Sequence, residues 1–198
     1  MIDLEKYTNH LFVESLRANT ESPSFSLIKE DFEIDLRSLI IDVNDAQNRH
    51  TLVIPGSSIR GVVRRWAERY DKALVEELFG NDIISGSEPK AGKLIFSFAR
   101  AEDLTNKTHN KRYGIKINQL GTVEANALYS YEFLRGEKPI RITFDSIALV
   151  PLKDDEKELL AKSIASLKYS SIGWGNSRGL GLIKEVELDA RLQKYLHV

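Results

Sequence analysis

Helical periodicity occurs twice in this chain, and each time it stands between segments that read as strands. Ile59, Val63, Trp66, Tyr70 and Leu74 recur at spacings of 4, 3, 4 and 4, which sets them along one helical face. Leu160, Ile164 and Leu167 form a second such face within Lys153–Lys168, where Asp154, Asp155 and Glu156 crowd the first turn and complement the helix dipole. Before the first helix stand Tyr7–Leu16, centred on Leu11, Phe12 and Val13, and Phe32–Leu36, which alternates apolar and acidic residues as a half-buried strand does. The short apolar runs Leu39–Ile41 and Leu52–Ile54 follow, with Asn19–Ser26 read as a loop and Asn44–His50 as a polar turn. After the helix, which Gly80 is expected to end, come Lys93–Phe98, Leu128–Leu134 and Ile140–Val150. The last two are parted by a turn bearing Gly136, and Leu182–Leu188 is the final strand. This order predicts an α+β fold, a ferredoxin-like βαββαβ core with an inserted thumb loop at about 101–121 and a C-terminal glycine-rich loop. Neither a Pro/Ser linker nor a fixed-period repeat divides the chain, so one domain over residues 1–198 is expected.

Composition narrows the chemistry. At 42% hydrophobic and 29% charged residues, 198 residues suffice for a buried core, and disorder is excluded. With no cysteine there is no disulfide, thiolate zinc site, iron–sulfur cluster or cysteine nucleophile. No apolar stretch approaches the roughly 18 residues of a membrane span. The start MIDLEKYTNH lacks the basic and apolar regions of a secretory signal, so a cytoplasmic protein with no membrane partner is expected. The net charge of −1 conceals an asymmetry: residues 1–45 hold 4 basic and 10 acidic side chains, residues 46–122 hold 13 and 8. From Thr105 to Thr122 there is no acid at all, while Lys107, His109, Lys111, Arg112 and Lys116 are present. Such a middle segment can form a basic patch on a neutral protein.

Three segments carry candidate binding chemistry. Pro55-Gly56-Ser57-Ser58 opens the first helix, with a serine expected as N-cap. Free amides there, the hydroxyls of Ser57 and Ser58, and Arg60 and Arg64 four residues apart suit phosphate; a plain capped helix with solvated arginines is the alternative. Residues 173–181 hold four glycines and Arg178, a loop able to approach a phosphate closely or simply to turn from helix to strand. It is neither a Walker loop, lacking Lys-Ser/Thr, nor a dinucleotide fingerprint, since a strand follows it. Residues 101–121 read as a long basic loop, either an arm along a phosphate backbone or a solvated loop. His10, His50, His109 and His197 show no metal-binding spacing. Asp35, Asp42 and Asp45 lie upstream of the first helix, where a carboxylate beside RNA can hold a divalent metal that activates a 2′-hydroxyl or water.

IPGSSIRG at 54–61, GIKINQLGTVEANALYSYEFL at 114–134 and GWGNSRGLGLIKEVEL at 173–188 resemble, in this order, motifs of CRISPR-associated RAMP proteins. The subclass most similar is the backbone-type subunit of a type III effector complex. That resemblance implies that Ser57, Ser58 and Arg60, with Arg64 beside them, contact the guide RNA backbone. Gly173, Gly175, Arg178, Gly179 and Gly181 would form the loop against the RNA-binding surface. Lys107, Lys111 and Arg112 would belong to a thumb that wedges between guide and target strands. Asp35, with Asp42 second, matches the aspartate that cleaves target RNA with a metal, Mg2+ being the expected ion if cleavage occurs. Implied partners are the guide RNA, complementary target RNA, other effector subunits and further copies along the RNA. Alternative readings are a RAMP endoribonuclease that processes the guide precursor with His50 or His10, a non-catalytic paralogous capping subunit, and a ferredoxin-like small-ligand module.

Overall fold

The computed structural model describes residues 4–16, 40–42, 50–81, 89–102 and 108–196. One long strand organises it. The segments expected as two strands form a single strand, Val123–Ala148 (β7), of 26 residues. Its inner half pairs on one side with Glu5–Leu16 (β1), where Ile140 faces Val13 and Phe144 faces Asn9. On the other side lie Leu94–Phe96 (β4) and Ala99–Glu102 (β5), with Ile147 opposite Ile95 and Thr143 opposite Arg100. Ile183–Glu187 (β8) pairs the far side of β1, while His50–Ile54 (β3) pairs β5 and Ile40–Asp42 (β2) pairs β3. All these pairings are antiparallel. The result is a mixed α/β molecule built on an antiparallel sheet.

Alternation along the inner half of β7 sets the layers. Ile140, Ile142, Phe144 and Ala148 are buried with Leu11 and Val13 against helix residues Ile59, Val63, Ala67, Leu160 and Ile164. Arg141, Thr143 and Asp145 occupy the alternate positions, on the opposite face. Gly136 does not make a hairpin turn. Ser15 pairs with Arg135 and Val13 with Ile140, so residues 136–139 bulge out while the strand continues.

The first helical stripe is interrupted. Gly56–Tyr70 (α1) ends at Asp71, whose backbone is extended and whose side chain accepts from the amides of Ala73 and Leu74 to start Lys72–Phe79 (α2). An aspartate cap therefore splits what periodicity reads as one helix. Tyr70 is 51% exposed, and Ala67 takes the inner position instead. Gly80 ends α2 with φ +76°. The second helix, Asp154–Ala165 (α3), continues into a 3-10 turn at Ser166–Tyr169. Its first turn is not wholly solvated: Glu156 is fully buried, accepts from the Lys153 amide at 2.9 Å, and holds the Lys93 ammonium at 2.5 Å. That hydrogen bond raises the lysine pKa. A short helix, Ala190–Gln193 (α4), follows β8. Phe32–Leu36, Asn19–Ser26 and residues 44–49 lie outside the described residues.

Candidate nucleic-acid interface

The outer half of β7 leaves the helix-backed sheet and pairs with Thr108–Ile117 (β6), Lys111 opposite Glu132, Arg112 opposite Tyr131 and Gly114 opposite Tyr129. The thumb region expected as a loop is thus a β-hairpin arm over most of its length. Asn118 closes the tip: its Oδ1 accepts from the amides of Leu120 (2.9 Å) and Thr122 (3.1 Å), and its own amide donates to the Thr122 carbonyl (2.9 Å). Gly121 supplies the positive φ, +78°, that the turn demands.

One face of the arm carries an aromatic ladder. Tyr129, Tyr131 and Phe133 alternate along β7, with ring centroids 6.2 and 6.4 Å apart. Trp174, from the glycine-rich loop, packs 4.9 Å from Tyr131, and Leu180 completes the cluster. Two arginines cover these rings. The guanidinium of Arg178 lies 4.5 Å from Trp174 and 5.6 Å from Tyr129, and donates to the Tyr129 hydroxyl at 2.6 Å. Arg112 lies 4.9 Å over Phe133. At exposed positions such as these, a cation–π contact is worth about 0.5–1 kcal/mol. Such contacts hold the arginines against the rings, and both residues remain exposed. Gly114 permits the arrangement, because a Cβ there would sit 2.3 Å from the Tyr129 ring.

The glycines of the loop serve the backbone directly. Gly175 and Gly179, both left-handed, bracket a 3-10 turn over Asn176–Arg178 and so aim Arg178 at the ladder. Gly181 has φ +72°, a Cβ on it would sit 1.8 Å from the Ile172 carbonyl oxygen, and its amide donates to the Ser15 carbonyl. Gly173, φ +84°, belongs to the same left-handed set. The loop is a tight connection, and its shape positions an arginine.

The start of α1 differs from expectation. Pro55, not a serine, is the N-cap, and Ser57 and Ser58 lie in the first turn, Ser57 exposed and Ser58 half-exposed. Gly56 abuts β4, since a Cβ would sit 2.1 Å from the Phe96 carbonyl oxygen. Arg60 is not solvent-facing: it is half-buried, donates to the Phe79 carbonyl at the end of α2, and lies 6.0 Å from the Phe79 ring. Arg64 pairs with Glu68 at 2.9 Å.

Among the remaining candidates, Lys111 stands 5.1 Å over Tyr113, and Asp35 and Lys107 lie outside the described residues. Asp42 sits in β2 opposite His50. His10 Nδ1 meets the Thr143 hydroxyl at 2.8 Å, and that hydroxyl donates to Glu102. Among the described residues no group of three or more His, Asp or Glu is placed to hold a metal ion. The structure therefore gathers Arg112, Arg178 and the glycine-rich loop into one surface, with Ser57, Ser58, Arg60 and Arg64 on the separate element α1. Sequence reasoning missed Tyr129, Tyr131, Phe133 and Trp174. The period-2 aromatics of LYSYEF were the available signal.

A family model describing the RAMP superfamily matches residues 45–184. This chain belongs to the RAMP superfamily. Among solved structures, it is similar to a chain in a cryo-EM structure of the type III-B Cmr-beta bound to cognate target RNA. The TM-score is 0.61 at 16% identity, over 94% of this chain and 61% of that one. This chain thus spans about three-fifths of that relative's length, and the likeness is one of fold. No curated protein matches it.

Proposed function

We propose that this chain is a guide-RNA-binding subunit of a CRISPR type III effector complex and that it grips RNA by its backbone. The observation that carries this reading is the pair Arg112 and Arg178, pinned on an aromatic ladder where the arm meets the glycine-rich loop. Preorganised cations of this kind attract phosphate irrespective of sequence, which suits a protein that must accept many guides. Superfamily membership and the fold shared with a chain from an RNA-bound assembly support the same reading. So does the strand order β8-β1-β7-β5, the order of a ferredoxin-like core in which β2, β3 and β6 are additions. In this reading residues 101–121 are the thumb, and other subunits and further copies of this chain join along the guide. No described helix is long and apolar enough to cross a membrane.

The test is fluorescence anisotropy with labelled single-stranded RNA across a salt series. Binding is expected to fall steeply with salt, and Arg112→Glu and Arg178→Glu each to weaken it by about tenfold while lowering the salt slope by about 1. Salt-independent binding would defeat the proposal. Target cleavage is a separate proposal attached to Asp35 and Mg2+: complementary RNA, guide and Mg2+ are incubated with wild type, Asp35→Ala and Asp42→Ala. Only Asp35→Ala is expected to stop cutting while retaining guide.

A further inference from the structure

The C-terminal half of α1 and the 3-10 turn Ser166–Tyr169 share an aromatic patch. Trp66 packs partly against the main core, while Tyr70 is 51% exposed and Tyr169 is 73% exposed. A single aromatic in water needs no explanation, but three on neighbouring turns mark a surface that something covers. Two of the three are tied by their polar ends. Trp66 Nε1 donates to Ser170 Oγ at 2.7 Å. Ser166 Oγ donates to the Lys162 carbonyl at 2.8 Å, so in its 2.6 Å contact with Tyr70 the phenol is the donor. Rings held in this way lose little freedom when a partner arrives.

The patch is also positively charged. The Arg69 guanidinium lies 4.5 Å from the Trp66 ring centre, and the Lys168 ammonium 4.9 Å from that of Tyr169. Arg65, exposed one helical turn before Arg69, adds a third cation. The acids beside them are engaged elsewhere: Glu68 meets Arg64 at 2.9 Å, and Asp71 caps α2. Tryptophan, tyrosine and arginine are the residues in which protein–protein binding energy concentrates. A nucleic-acid base, by contrast, needs an open ring face on which to stack. Here a cation lies on each of the Trp66 and Tyr169 rings, and the two rings lean on each other at 6.2 Å and 51°. Guanidinium donors beside aromatic edges suit carboxylates accompanied by a ring.

We propose that this patch docks another polypeptide through an acidic segment that carries an aromatic side chain. The carboxylates of that segment pair with Arg65 and Arg69, and its ring packs against Tyr70 and Tyr169. The charge complementarity chooses the partner, and the preorganised rings supply the buried area. The site belongs to the helix layer and does not depend on the RNA-binding reading of the arm.

The experiment uses the full chain labelled with 5-fluorotryptophan, so that its two tryptophans, Trp66 and Trp174, give separate fluorine resonances. Trp66→Phe assigns them. The probe is a random copolymer of glutamate and tyrosine, with polyglutamate of matched length and oligouridine for comparison. The copolymer is expected to shift the Trp66 resonance and to bind several-fold more tightly than polyglutamate. Arg65→Glu with Arg69→Glu is expected to weaken that binding by about tenfold. Tyr169→Ala is expected to weaken it several-fold while melting as wild type does, because the side chain lies mostly in water. Arg112→Glu and Arg178→Glu, on the arm, are expected to leave the response of Trp66 to the copolymer unchanged. Polyglutamate that binds as tightly as the copolymer would reduce the patch to a counter-ion surface and overturn the proposal. Oligouridine that shifts Trp66 at lower concentration than the copolymer would make it a nucleic-acid surface instead. A Trp66 resonance that the copolymer does not move, or variants that bind it like wild type, would remove the docking site altogether.

Discussion

The two halves of β7 are one strand in two environments. Along the inner half, Ile140, Ile142, Phe144 and Ala148 are buried beneath helices while Arg141, Thr143 and Asp145 occupy the opposite face. At the base of the arm, residues 130 to 134 are all buried, although no helix of the main core contributes to their aromatic cluster. Toward the tip the burial disappears, with Ile115, Ile117 and Val123 about half exposed and Leu120 at 88%. The inner half holds the fold through aliphatic packing. The outer half is held by aromatics, a glycine-rich loop and two cations, the components of the candidate interface.

The largest expected effect breaks this contrast by stability. Phe144→Ala empties a site in the main core and is expected to cost about 3–5 kcal/mol, a large share of the roughly 5–15 kcal/mol that holds an ordinary domain folded. Tyr131→Ala removes the middle rung of the arm ladder. It is expected to leave the free energy of global unfolding within about 1 kcal/mol of wild type while raising hydrogen exchange along β6 and weakening RNA binding. Urea melts followed by circular dichroism, together with exchange measurements, check both. A cooperative loss of the whole fold in Tyr131→Ala would show that the arm is not a separate unit.

Arg60 sharpens the contrast between a structural and a binding arginine. Because its guanidinium satisfies the Phe79 carbonyl at the end of α2, Arg60→Ala is expected to destabilise the protein by about 2 kcal/mol. Arg178→Ala gives up exposed cation–π contacts and an exposed hydrogen bond to the Tyr129 hydroxyl and is expected to cost about 1 kcal/mol, with most of its effect appearing in RNA affinity. Thermal melts beside anisotropy titrations separate the two. Equal losses of stability would make Arg178 a structural residue as well.

Much of the architecture was legible in the sequence because local pattern and burial agree. The β1 segment, the inner faces of α1 and α3 and the stop at Gly80 follow from spacing and from one glycine. The break at Asp71 was hidden because the apolar spacing runs past it, whereas the cap depends on a single aspartate. Strand β6 was hidden because lysines and an arginine sit among its residues and the usual core-facing alternation is absent; Tyr113, Ile115 and Ile117 alternate but lie exposed. At the site, the glycine-rich loop and Arg178 could be read from composition. The role of Arg60 could not, because its partner lies 19 residues away at a helix end defined only by tertiary packing.

The smallest expected effect is titration at the root of β1. Asp189 accepts from the Arg191 side chain and from the backbone amides of Thr8 and Arg191, and these bonds hold its carboxyl below the usual range against the opposing cost of burial. A depressed folded-state pKa means that the unfolded chain takes up the proton first as pH falls. The contribution is present above the unfolded aspartate pKa of about 4 and is lost as pH drops through the lower folded value. Because the pair is partly open to solvent, about 1 kcal/mol is at stake. Asp189→Asn should therefore lower the melting temperature by about 3 °C at pH 7 and leave a much smaller difference from wild type near pH 3. A gap that stays constant from pH 7 to pH 3 would show that Asp189 contributes through its shape and hydrogen bonds rather than its charge.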